Sequence, residues 1–171
     1  MATQHSPLHP YVVDSNFFLQ AYKIHYPFDV TPGFWLKTRD FASRGRIISI
    51  DKVHDELYTN TDALTRWIDA NCPGDFFKDT NPILSAYALV CTWADSRSSH
   101  YSPGALATFL QAGEADAFLV SYALANRLTI ITQETSDPNR KSVIKIPDAC
   151  IHFKVPYMTT IEMFRSMGET F

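Results

Sequence analysis

The chain has 171 residues, of which 46% are hydrophobic and 19% charged, with a formal net charge of −3. That is the size of one domain with enough apolar surface to build a core, and it excludes a disordered chain or a broadly basic nucleic-acid binder. No apolar run approaches a membrane span of ~18 residues, and Cys72, Cys91 and Cys150 lack the spacing of a zinc site or disulfide frame. They read as reduced thiols of a cytoplasmic protein.

In chain order, residues 1–10 carry two prolines and two histidines and read as a loose, flexible tail; residues 11–171 form a single domain. Tyr11-Val12-Val13 is a short β-branched strand that stops at Asp14. Ser15 to Tyr22 has helical spacing, and the aromatic, proline-rich stretch up to Trp35 reads as irregular. Phe34 to Ala42 is helical again, ending near Gly45. Ile47 to Ile50 is the second strand. It runs into Asp51 as an N-cap and then the helix KVHDELY.

Thr61 opens a further helix. Asn81-Pro82 and Ser102-Pro103 each start another, and Gly113 precedes the helix EADAFLVSYALAN. Leu128 to Thr132 is the third strand. Val143 to Ile146 and His152 to Val155 are expected as short strands, and Thr160 to Met167 as a closing helix. Buried-type strands separated by helices predict an α/β fold: a central parallel sheet with helices on both faces. Arg39, Arg44, Arg46 and Lys52, with Arg127, Arg140, Lys141 and Lys145, are candidate phosphate contacts against a background of ordinary surface charge.

Parallel sheets bind ligands outside the carboxyl ends of their strands, and acids fall at those ends. Asp14 ends strand one, Glu56 lies one turn into the helix after strand two, Asp116 sits in a first helical turn, and Glu134 follows strand three. Val53 and Leu57 define the buried stripe of their helix, so Glu56 flanks it while Asp55 points away. Glu114 and Asp116 both flank the stripe Ala117–Val120–Leu124 and are not separated by the wheel. Two unit charges ~4 Å apart repel by about 4 kcal/mol at an effective dielectric near 20, so gathered carboxylates raise one another's pKa or bind a cation. Oxygen donors without paired His or Cys suit Mg²⁺ or Mn²⁺. The competing reading makes each acid ordinary, Asp14 as an Asx turn and Asp116 as a helix-terminus charge.

The pieces YVVDSN (11–16), ISIDKVHDEL (48–57), GEADAFLVSYAL (113–124) and TIITQE (129–134) resemble, in that order, the PIN-domain family, and the stretch from PFDVTPGFW to the terminal KIPDACIHFKVPYMTTIEMFRSM is similar to a less-studied PIN-like branch of bacterial toxin–antitoxin loci. The resemblance implies a Rossmann-like three-layer fold and a Mg²⁺- or Mn²⁺-dependent endoribonuclease. It makes Asp14, Glu56, Asp116 and Glu134 the catalytic, metal-binding acids, with Asn16 and Thr132 in support; Glu114 joins them as a supporting acid on the helix-wheel reading alone. It departs at Glu134, where the family more often has Asp, which points to binding through water or to an outer role. It further implies RNA as substrate, a cognate antitoxin protein as partner, and a possible homodimer.

The aromatics Tyr22, Tyr26, Phe28, Phe34 and Trp35 read first as packing and second as a partner surface. His54 reads as a surface residue, and neither a GxGxxG nor a GxxxxGK[ST] sequence occurs. Two other functions remain open: a catalytically weak PIN-like module that binds RNA or protein, and an unrelated α/β phosphohydrolase.

Overall fold

The β-branched run Tyr11–Val13 forms β1, and the equally apolar Ile47–Ile50 forms β2 beside it, pairing in parallel with Tyr11 opposite Ile47. Thr129–Ile131 (β4) lies on the other side of β1, with Val13 opposite Ile131. Two-residue strands complete the edges, Phe77–Lys78 (β3) next to β2 and Tyr157–Met158 (β5) next to β4. The order is β3-β2-β1-β4-β5 and every pairing is parallel. Helices flank this sheet in a Rossmann-like, three-layer α/β arrangement. The structure, a computed structural model, describes residues 9–171. The tail expected at residues 1–10 lies outside the described residues up to position 8.

The connections are helical. After β1 comes α1 (Ser15–Gln20), which widens into a π-helical turn (Ala21–His25) closed by Tyr26 N–H on the Ala21 carbonyl at 2.7 Å. Then follow α2 (Pro32–Ser43), α3 (Asp51–Leu57) and α4 (Ala63–Asn71), the last opened by an Asp62–Thr65 capping box. A 3₁₀ turn at Asn81–Ile83 leads into α5 (Leu84–Ser96), and α6 (Pro103–Phe109) starts on the Ser102 cap. Next come α7 (Ala115–Asn126), α8 (Ile146–Phe153) and α9 (Thr160–Met167).

Helix α7 is the centre of one layer, packed against α3, α5 and α8. It buries Ala115, Ala117, Phe118, Leu119, Val120, Ser121 and Ala123, which is wider than the expected stripe Ala117–Val120–Leu124. One corner of the core is aromatic, its two halves joined where Phe34 meets Trp35 at 5.2 Å. Phe34 stacks on Tyr26 at 4.4 Å and meets Phe164 and Phe171. Phe28 meets Trp35 at 4.4 Å, and Trp35 meets Trp67 at 4.8 Å. The Tyr22–Trp35 stretch is therefore a packed corner and, in part, helical, consistent with the packing reading.

Three local expectations change. The segments 143–146 and 152–155 are not strands. Pro147 in the first turn of α8 starts a helix whose Ile146, Ala149 and Cys150 face the core, and the edge strand comes later at Tyr157–Met158. Strand β3 was not anticipated. Asp51 is in the first turn of α3 rather than capping it, and its carboxylate instead accepts from the Thr80 hydroxyl at 2.8 Å, tying α3 to the turn after β3. All three cysteines are free, and among the described residues no helix is long and apolar enough to cross a membrane.

Candidate functional site

All strands run the same way, but the order in which they are added reverses between β1 and β4: β2 and β3 extend to one side, β4 and β5 to the other. At such a switch point the loops leaving two neighbouring strands diverge and open a crevice at their carboxyl ends. Asp14 stands there. Its backbone N–H bonds the Ile131 carbonyl, its side chain caps α1 by accepting from Phe17 N–H at 2.8 Å, and its other oxygen accepts from the Thr132 hydroxyl at 2.6 Å. Asp14 is 3% exposed and Thr132 1%. Thr132 supports Asp14 as expected; Asn16, half-buried in α1, is not among Asp14's hydrogen-bond partners.

Burial pushes the Asp14 carboxyl up to about 7 against the pull of those two hydrogen bonds, and the charges of Glu134 and Glu56 add to the rise. Asp116, in the first turn of α7, is also pushed up to about 7, by burial first and then by Glu134, Asp14, Glu56 and Glu114. Every charge acting on these two carboxyls is negative. Glu56 sits at the exposed rim of α3, one turn past buried Val53, while the Asp55 side chain is 67% exposed and points away. The Glu56 carboxyl is raised by partial burial and by Glu114, offset by the Ser15 hydroxyl. Glu114 takes the cap position of α7 without making a cap hydrogen bond, which leaves its side chain for the acid group.

Glu134 is different. One oxygen accepts from Lys145 Nζ at 2.8 Å and the other from Ile146 N–H at 2.9 Å, so it is clamped to the start of α8. Its backbone N–H bonds the Thr132 hydroxyl at 3.1 Å, giving the chain Glu134–Thr132–Asp14.

The fold thus brings Asp14, Glu56, Glu114, Asp116 and Glu134 within mutual electrostatic influence. As donors they fit a hard cation chemically, being oxygen-only and without a positive counter-charge at Asp14 and Asp116. Their spacing is wider than a closed coordination shell. Among the described residues, no group of three or more His, Cys, Asp or Glu side chains is arranged to hold a metal ion. Uncompensated carboxylates repel one another, and Glu134 alone among them is paired with a cation, Lys145.

The basic residues divide by edge, which no linear reading could show. Arg44 and Arg46 lead into β2, and Arg127 leads into β4 from the end of α7, so these three lie toward the amino ends of the strands, away from the acids. Arg44 also pairs with Asp40. Lys52, Arg140, Lys141 and Lys145 follow strand ends and share the acids' edge. Of these, Arg140 pairs with Asp137, Lys145 with Glu134, and Lys52 lies 5.3 Å over the Phe118 ring. Sequence reasoning missed the Lys145 clamp and the Ser15 hydroxyl beside Glu56. Ser15 was visible as the polar residue directly after Asp14; the clamp depends on the start of α8, where the sequence suggested the end of a strand at 143–146.

The architecture is that of a parallel α/β protein with a cluster of acids at its topological switch point. Residues 11–171 match the model of the family described as Domain of unknown function (DUF4411), and the chain belongs to that family. No curated protein and no solved structure matches it.

Proposed function

We propose that the chain is a metal-dependent endoribonuclease of PIN type. One observation carries this reading: Asp14 and Asp116, on separate elements, are both pushed up to about 7 in a crevice where every acting charge is another acid. A cation is the partner that relieves such a group. Asp14 and Asp116, with Glu56 and in its outward position Glu134, would hold Mg²⁺ or Mn²⁺. That ion, when bound, supplies an activated water and charge stabilisation for phosphodiester hydrolysis.

The chain's own residues do the positioning. Thr132 and Phe17 N–H fix the two Asp14 oxygens, α7 delivers Asp116 from the core, and the flexible arm of Glu56 reaches in from the rim. Lys52 and Lys141, on the acids' edge, are the cations available to steer the phosphate backbone. Water as nucleophile leaves a 5′-phosphate and a 3′-hydroxyl. In keeping with the resemblance to toxin–antitoxin loci, the natural restraint on such an activity would be a cognate antitoxin protein.

Incubating the protein with structured and single-stranded RNA in Mg²⁺ or Mn²⁺ tests the reading. Cleavage should require the metal and vanish in Asp116→Asn. A 2′,3′-cyclic phosphate product, or cleavage surviving in EDTA, would refute it.

A second reading is favoured by the clamped Glu134 and by the acids' spacing: a PIN-like module that binds RNA without cutting it. RNA binding with no cleavage in either metal would select it.

A further inference from the structure

A second recess lies between the end of α5, the loop after β4 and the outer face of α8. It has a volume of about 370 Å³, and its walls include Trp93, Arg97, Tyr101, Pro138, Ile151 and His152. Trp93 and His152 stack at 5.3 Å with 24° between their planes, and Ile151 is 57% exposed, so an aromatic and apolar wall faces solvent without a covering side chain. Arg97 forms none of the ion pairs made among the described residues. The acid nearest in the walls, Asp148, is already engaged, accepting from Ser136 Oγ at 2.5 Å and Asp137 N–H at 3.1 Å. Burial raises the Tyr101 phenol, Asp148 adds to the rise and Arg97 opposes it, so these groups share one small space.

A guanidinium without a carboxylate partner beside an open aromatic wall suits an anion joined to a flat ring. The recess is also tied to the acidic crevice. Glu134 faces the crevice and Ser136, two residues on, faces the recess; both are fastened to the first turn of α8. Two residues span at most about 7 Å of chain.

We propose that this recess binds one nucleotide of a single-stranded RNA, its base against Trp93 and His152 and its phosphate on Arg97, adjoining the nucleotide whose phosphate enters the acidic crevice. Stacking platforms paired with a cation are how unpaired bases are held without a sequence code. The inference rests on the ribonuclease reading for its substrate but not for its test.

The test is a titration in EDTA, followed by tryptophan fluorescence, of the protein carrying Asp14→Asn and Asp116→Asn, so that neither metal nor cleavage enters. Adenosine 5′-monophosphate should quench Trp93, and a short oligoadenylate should bind at least as tightly. Adenosine without phosphate should bind about tenfold more weakly. Arg97→Gln should weaken both ligands about tenfold, and Ile151→Glu, at an exposed position that tolerates substitution, should do the same by repelling the phosphate. The quench should be lost in Trp93→Phe. The proposal is overturned if the monophosphate binds but the oligoadenylate does not, or if Arg97→Gln and Ile151→Glu, folded by circular dichroism, bind both as the parent does. Cleavage with no binding here removes the recess and spares the nuclease; binding here with no cleavage in any metal does the reverse.

Discussion

The Thr132 hydroxyl donates to Asp14 Oδ2 at 2.6 Å across the seam between β4 and β1, joining residues 118 apart in sequence. The Thr132 hydroxyl oxygen in turn accepts from Glu134 N–H, so one small side chain orders an acid on each side of the switch point. Thr132→Val keeps the shape and removes the donor. A buried hydrogen bond to a charged group is worth roughly 1.5–3 kcal/mol, so the variant should lose about that much stability at pH 8 by urea unfolding. The Asp14 carboxyl should rise further, moving the acidic limb of any RNA-cleavage profile to higher pH, and Thr132→Ser should restore both. A valine variant with unchanged stability and profile would show that the bond does not hold Asp14.

Stability should respond to pH in the direction opposite to most proteins. Asp14 and Asp116 have folded values near 7, above their unfolded values, so the folded chain binds protons more tightly than the unfolded one. Their favourable contribution is complete below about pH 4 and is lost as pH rises through 7. In EDTA the melting temperature should therefore rise from pH 8 to pH 6. Asp116→Asn removes one such charge and should stabilise the protein at pH 8 by up to about 4 kcal/mol, an order-of-magnitude figure from a rise from 3.8 to about 7 at about 1.4 kcal/mol per pH unit. A variant that melts lower than wild type at pH 8 would contradict this.

Divalent metal should reverse that balance. An ion at 100 times its dissociation constant adds about 2.7 kcal/mol, so Mn²⁺ should raise the wild-type melting temperature at pH 8 and leave Asp14→Asn unmoved. Equal responses in the two proteins would separate Asp14 from any metal site.

Lys145 competes with a cation for Glu134. Lys145→Met should loosen the loop at residues 133–145, seen as faster amide exchange there, and tighten Mn²⁺ binding several-fold by releasing the carboxylate. Weaker Mn²⁺ binding in this variant would mean that Glu134 serves only to anchor α8.

Phe34 is fully buried among Tyr26, Trp35, Phe164 and Phe171. Phe34→Ala should cost about 3–5 kcal/mol in chemical denaturation. Tolerance of this change would move the aromatics from core to surface duty.

Strands β1, β2 and β4 were legible because each is a buried β-branched run bounded by polar residues, and the acids at their ends were legible with them. Strand β3 was not: Phe77–Lys78 is too short to show any period. Helix α8 was misread because the apolar runs around KIPDACIHF looked like strands, although Pro147 at a first turn and the Ile146–Ala149–Cys150 spacing are helical marks. That error hid the Lys145–Glu134 clamp, since only a helix start presents Ile146 N–H to that carboxylate. The division of basic residues between two edges depends on strand order and could not be read from spacing. Asp55 and Glu56 separated correctly because their helix has one buried stripe. Glu114 and Asp116 did not, because α7 is buried on most of its surface and a wheel has little polar side to point with.

That burial governs which parts of the crevice can adjust. A helix enclosed by α3, α5 and α8 has no free side along which to slide, and moving it by one turn, about 5.4 Å, would tear the core. Asp116 is therefore a fixed post. Any tightening around an incoming ion or phosphate must come from the longer arms on the rim, Glu56, Glu114 and Glu134, so the crevice closes from its edges inward.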